Sequence, residues 1–282
     1  MNSILAKKLY YQSCCEELKI FKPGNENIYT KFSRSKIEKF KNAAKISSEI
    51  LIDKKFSFGE CVFNATKKCY DILGSNYNLG IILMCAPILR VIVKNSELNL
   101  KERLNIILQN IDKNDGDLIL KAIKYAKPGG LKNYEGNANL LNFNDGLTFK
   151  EIMKIGSKKD RISKCYINIF SEIFDYGLPL YRKLKHYTSH FFAGEKIFLY
   201  YLSKDTDSHL QRKFGIQNAK MVQNKAILLN KKIKFKRNQN FKDLLNFDRY
   251  LKKKNYNPGT CADLTVTTLL IDKIIDIVSI PH

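Results

Sequence analysis

The stretch "RISKCYINIFSEIFDYG", Arg161 to Gly177, has apolar residues at Ile162, Cys165, Tyr166, Ile169, Phe170, Ile173 and Phe174. Steps of three and four put all of them on one side of a helix, which the period of two in a strand does not. The spacing predicts one continuous amphipathic helix here. Val62, Cys69, Ile72 and Leu73 repeat the pattern over a shorter span. A hydroxyl residue followed three positions later by a carboxylate precedes apolar runs at five places. These are Ser35 with Glu38, Ser57 with Glu60, Thr148 with Glu151, Ser157 with Asp160, and Thr260 with Asp263. In such a capping box the hydroxyl accepts from the third backbone N–H while the carboxylate reaches back to the first residue. No convincing period-two run bounded by turn pairs competes with these signals. The chain therefore reads as all-α, with roughly ten helices or more in a single compact multi-helix domain over residues 1–282.

Composition narrows the classes. A chain of 282 residues with 44% hydrophobic content can bury a sizeable core and is too apolar to be disordered. The formal net charge of +22 invites a nucleic-acid reading. However, 41 of the basic residues are Lys and 8 are Arg, and they are scattered along the chain. Only "NKKIKFKRNQNFK", Asn230 to Lys242, resembles a cluster. Scattered Lys is a solvated surface, which argues against nucleic acid as the main partner and still suits a polyanionic small substrate. The seven cysteines include the adjacent Cys14 and Cys15 but no C-x-x-C, a pattern of reduced thiols in a cytoplasmic protein. The N-terminal residues lack the apolar core of a signal peptide. The most apolar run, Leu79 to Val93, is interrupted by Pro87 and Arg90 and falls short of the roughly 18–20 residues that span a bilayer, so it predicts a buried helix and no membrane partner.

Turn chemistry occurs at "KPGN" (Lys22–Asn25), "KPGG" (Lys127–Gly130), "EGN" (Glu135–Asn137), "NDG" (Asn144–Gly146) and "NPGT" (Asn257–Thr260). The longest stretch without helical signals, Lys127 to Gly146, reads by default as a surface loop. His186 and His190 lie four apart, but no H-E-x-x-H glutamate accompanies them. Phosphate-binding, nucleophile-elbow and dinucleotide fingerprints are missing. Residue patterns alone stop at a soluble, basic, all-α domain.

Five segments in series resemble the triphosphoribosyl-dephospho-CoA synthase family. They are "FKPGN" (Phe21–Asn25), "SNYNLGIILMCAP" (Ser75–Pro87), "GSKKDRISKCYINIFSEIFDYGLP" (Gly156–Pro179), "FLYYLSKDTDSHLQRKFG" (Phe198–Gly215) and "NYNPGTCADLTVTTLL" (Asn255–Leu270). The resemblance implies a helical transferase that uses ATP, 3′-dephospho-CoA or a related acceptor, and Mg2+. The acceptor's 2′-hydroxyl attacks ribose C1′ of ATP, adenine leaves, and the triphosphate stays on the transferred ribose. By the same resemblance, Asp263 and Asp160 are candidate catalytic carboxylates. Lys22, Gly24, Asn25, Asn76, Asn78, Gly80, Arg212, Lys213, Asn257, Gly259 and Thr260 are candidate nucleotide-binding residues, and Asp205 and Asp207 candidate metal ligands.

The likeness has gaps. Relatives tied to citrate lyase have a His and a basic residue before the glycine of the second segment, where this chain has Asn78 and Leu79. Those relatives also have a His and Asp pair after the first turn, where this chain reads "ENIYTKFSRS", Glu26 to Ser35. The "N-x-N-L-G" turn resembles a divergent branch found in archaea and methylotrophs. Two alternatives stay open: a related ribosyl or phosphoribosyl transferase with another acceptor, as in pterin-cofactor synthesis, and a non-catalytic nucleotide- or RNA-binding protein.

Overall fold

The computed structural model of the chain describes residues 1–29, 34–93, 99–130, 147–232 and 241–278. The "EGN" and "NDG" turns, and most of the basic stretch from Asn230 to Lys242, lie outside them. Among the described residues there are thirteen α-helices, one π-helical turn and no strand. The first half comprises α1 (Ser3–Glu17), α2 (Arg34–Leu51), α3 (Phe58–Leu73), α4 (Leu79–Val93), α5 (Leu100–Gln109) and α6 (Lys113–Ala126). Next come α7 (Phe149–Gly156), α8 (Arg161–Ile167), the π turn (Glu172–Gly177), α9 (Leu178–Tyr187) and α10 (His190–Lys204). The last are α11 (Ser208–Lys232), α12 (Phe241–Lys253) and α13 (Gly259–Val278).

Helix α13 is the axis of the core. From Thr260 to Asp272 every residue except Asp263 is buried, as expected of a helix with apolar residues on all sides. It packs against α1, α4, α9, α10 and α11. Helix α4 occupies the span expected from its apolar run, and Arg90 reaches the carbonyl of Phe56 at 2.7 Å rather than facing the core unpaired. Ser57 with Glu60 and Thr148 with Glu151 form complete capping boxes on α3 and α7. A further box uses Asn99 with Glu102, its cap an amide and not a hydroxyl.

Other expectations are corrected. Ser35 lies inside α2 and Ser157 ends α7, while Asp160 is itself the cap of α8, accepting from the Ser163 N–H at 2.9 Å. Ile72 is 59% exposed rather than on the buried face of α3. The Arg161–Gly177 stretch is not one helix. It stops after Ile167, passes through Ile169 and Phe170 with φ of 54° each, and resumes as the π turn. Left-handed backbone costs these residues about 1–2 kcal/mol each. The break lets buried Arg161 reach Glu172, with which it forms a two-pronged ion pair. In an unbroken helix, eleven residues at about 1.5 Å each would hold the two roughly 16 Å apart. Arg161 also donates to the carbonyls of Tyr201 (2.9 Å) and Asp205 (3.3 Å), binding α8 to α10.

Thr260 lies in the first turn of α13 and not at its cap. That end is capped from elsewhere: fully buried Asp207 accepts from the Leu210 N–H at 3.0 Å and from the Cys261 N–H at 2.8 Å. One carboxylate therefore serves the starts of α11 and α13 together. Replacing Asp207 with Ala removes both caps, at about 1 kcal/mol each, so urea unfolding should show a loss of roughly 2 kcal/mol; a change below about 0.5 kcal/mol would deny Asp207 this double role.

Candidate active site

The starts of α4, α8, α11 and α13 converge on one cavity of about 620 Å³. Helix starts carry unsatisfied N–H groups and the positive end of the helix dipole, an arrangement suited to anions. Asn76 accepts from the Leu79 N–H at 3.1 Å at the start of α4, and Asp160 caps α8. The Thr260 hydroxyl accepts from the His209 N–H at 3.3 Å, answering the Asp207 cap in the opposite direction.

The cavity wall brings together Asn25, Asn76, Asn78, Gly80, Asp160, Arg212, Lys213, Asn257, Gly259, Thr260 and Asp263. Asn25 and Asn257 join the first and last of the resembling turns through an amide–carbonyl bond of 2.7 Å. Asp160 and Arg212 form an ion pair at 2.5 Å. Asn78 turns inward, donating to the Ala43 carbonyl at 3.2 Å and the Ser47 hydroxyl at 3.1 Å.

Four candidates lie outside the lining. Lys22 is fully buried, pairs with Glu17 at 2.8 Å and donates to the carbonyls of Glu17 and Glu26. Burial pushes Glu17 up and Lys22 down, and each opposes the other's shift. Gly24 adopts φ +80°, and a Cβ there would come 2.6 Å from the Tyr256 carbonyl. These two residues shape the turn that presents Asn25. Asp205 pairs with Lys164 at 3.3 Å and accepts from the Thr206 N–H, while both oxygens of Asp207 are taken as caps.

Asp263 is the electrostatic centre of the cavity. Its carboxyl is pushed well above the usual range by burial and by the charges of Asp207 and Glu17, with Arg212 opposing. None of the described residues donates a hydrogen bond to it. Gly80 makes room for it, since a Cβ at position 80 would sit 2.0 Å from Asp263 Oδ2.

Several lining residues escaped the sequence reading. The Lys127–Gly129 part of the expected surface loop forms cavity wall. Glycines let it lie against α11, because a Cβ at Gly129 would be 2.3 Å from Lys213 Cε and one at Gly130, φ +82°, 2.5 Å from the Arg212 carbonyl. His209 also lines the cavity, as do Ile119, Ile123, Ile152, Met153 and Tyr166, whose spacing looks like ordinary core; Glu26, an expected stand-in for the missing His and Asp pair, lines it too. His186 and His190 fall on different helices, α9 and α10, and neither lines the cavity.

Buried carboxyls and cations around a cavity ringed by helix starts have the build of an enzyme acting on a phosphorylated substrate. A family model described as ATP:dephospho-CoA triphosphoribosyl transferase matches residues 5–280, and the chain belongs to that family. It is thus a transferase that moves the triphosphoribosyl group of ATP to dephospho-CoA. A crystal structure from Archaeoglobus fulgidus, of a protein named by inference a triphosphoribosyl-dephospho-CoA synthase, shares the fold with a TM-score of 0.63 and 20% identity. The match covers 82% of this chain and 97% of that one. No curated protein matches the chain.

Gly80→Ala would push the start of α4 against Asp263. Displacing a reacting group by about 1 Å costs on the order of 100-fold, so turnover should fall by about that much while the helical circular-dichroism spectrum is kept. Unchanged turnover would show that the position of Asp263 is immaterial.

Proposed function

We propose that this cavity is where the 2′-hydroxyl of dephospho-CoA attacks ribose C1′ of ATP, with Asp263 taking the hydroxyl proton as adenine departs. The observation that carries the reading is the half-buried Asp263 carboxyl at the start of α13, to which no described residue donates a hydrogen bond, facing a cavity with Arg212 and Lys213 on the wall. A carboxyl raised above its ordinary range is a better-matched general base for a hydroxyl than an exposed one. Arg212 and Lys213, with the converging helix starts, suit the triphosphate. Asp160 holds the Arg212 guanidinium in place. Seven unpaired cysteines favour a reducing, cytoplasmic setting for this work, and no helix among the described residues is long and apolar enough to cross a membrane.

The Mg2+ implied by the resemblance fits one group in the cavity. Glu26 lines it; its Oε1 pairs with Lys36, while its Oε2 is buried with no hydrogen-bond partner among the described residues. Asp205 and Asp207 do not fit, being bound to Lys164 and backbone N–H groups. No set of three or more His, Cys, Asp or Glu among the described residues is placed to hold a metal ion. Mg2+ needs only one or two carboxylates beside substrate phosphates. Glu26 would hold such an ion, which when bound would neutralise phosphate charge.

Incubation with ATP, Mg2+ and dephospho-CoA, followed by mass detection, should yield adenine together with a triphosphoribosyl adduct. ATP binding without adenine release would instead favour another acceptor. Asp263→Asn should lower turnover by about 100-fold or more. Its effect on stability has a definite sign. A carboxyl whose folded pKa is raised gives stability that is present at low pH and lost as pH rises through that folded value. The Asn variant should therefore melt higher than the parent at pH 8, with the difference shrinking toward pH 4. Lower melting at pH 8 with turnover intact would make Asp263 merely structural.

A further inference from the structure

One ring on the cavity wall has no part in the acid–base assignment above. His209 stands in the first turn of α11, with Asp207 two residues before it and Arg212 and Lys213 one turn later. Its backbone N–H is fixed to the Thr260 hydroxyl at 3.3 Å. Its Nδ1 lies so near the backbone of α13 that a Cβ on Gly259 would be 2.6 Å away. The imidazole is thus gripped between two helix starts while lining the cavity. None of the described residues hydrogen-bonds either ring nitrogen. The half-buried ring is thus held in place with its polar edge open to whatever occupies the cavity. Burial pushes its pKa down to about 4; Arg212 and Lys213 add to the effect and Asp207 opposes it. At neutral pH the ring is uncharged, so one nitrogen donates and the other accepts.

We propose that His209 contacts the departing purine of ATP, stabilising it with a hydrogen bond from its ring N–H to N7. The assignment rests on the reading of this cavity as the transfer site. The triphosphate calls for cations, and Arg212 and Lys213 stand beside the ring to supply them. The acceptor's hydroxyl proton goes to Asp263. In the transfer the C1′–N9 bond breaks with its electron pair staying on the purine, and the bond from C1′ to the acceptor oxygen forms. The purine takes up one proton from water on release, and Asp263 returns the hydroxyl proton to water. Negative charge therefore builds on the purine ring, where a preorganised donor counts most. A neutral donor supplies it without adding repulsion to the cationic ribose.

The test pairs a protein change with an atom change in the substrate. Turnover is measured for the parent and for His209→Phe, each with ATP and with 7-deaza-ATP, which has carbon in place of N7. His209→Phe should cost roughly 100-fold with ATP and leave the already slow 7-deaza-ATP reaction nearly unchanged. His209→Asn keeps an N–H donor and should recover part of the ATP rate, which also covers the case in which the Phe variant does not fold. Equal losses with the two nucleotides, or no loss with ATP, would overturn the assignment. A parent protein that releases no adenine would sink the transfer reading and His209 with it. A parent that turns over, with His209 and N7 effects that simply add, would sink His209 alone.

Discussion

The reciprocal bonding between the starts of α11 and α13 is the constraint on which the site depends. Asp207 reaches from α11 to the Cys261 N–H, and Thr260 reaches back from α13 to the His209 N–H. Each helix thereby satisfies a donor of the other that would otherwise be orphaned in the interior. The bonds also fix register. Once Cys261 and His209 are held, Gly259 faces the His209 ring, Asp263 faces Gly80, and Arg212 comes round one turn later to meet Asp160. Arg161 secures the third helix of the group. Its backbone N–H donates to Ser208 at 2.7 Å, while its side chain spans to Glu172 and to the carbonyl of Tyr201.

That frame carries an electrostatic load it would not need for folding alone. The chain as a whole is strongly basic, yet at the centre the charges of Asp207 and Glu17 add to the cost of ionising Asp263. Glu17 has its own lysine, Lys22, and Asp207 has two backbone donors. Asp263 has neither. A half-buried carboxyl with no hydrogen-bond donor from the protein lowers stability where it must ionise. Proteins retain such groups chiefly at functional sites, where the surrounding packing over-determines the local conflict. Here α13, buried on nearly every side, supplies that packing.

Much of the fold was legible in local pattern. The buried span of α4 and the boxes on α3 and α7 need only neighbouring residues to form. What escaped depends on distant partners. No local signal marks the break after Ile167, because its cause is Arg161 reaching Glu172 across the interior. Thr260 reads as a cap because the real one, Asp207, is 53 positions earlier in the chain. The turns of the site were legible as turns, yet Lys22 and Gly24 serve their shape while Asn25 faces the cavity. Lys127 to Gly129 looked like surface because glycine signals a turn without saying what it lies against.

Asn78 shows how a departure from the family pattern is absorbed. Where the resemblance leads one to expect a His, this chain has an amide that donates to the Ala43 carbonyl and the Ser47 hydroxyl, and Ser47 in turn meets the buried Tyr10 hydroxyl at 2.9 Å. Those bonds tie the start of α4 to α2 and α1, and they leave the amide committed to the core. An imidazole in that place would have to give up the donor pair or leave Ser47 short of a partner. The position therefore gives rigidity to the turn that carries Gly80, and through Gly80 to Asp263. The one imidazole on the cavity wall among the described residues comes instead from α11, next to the cations. The ring and the turn thus do separate jobs, and each is held by bonds that do not involve the other.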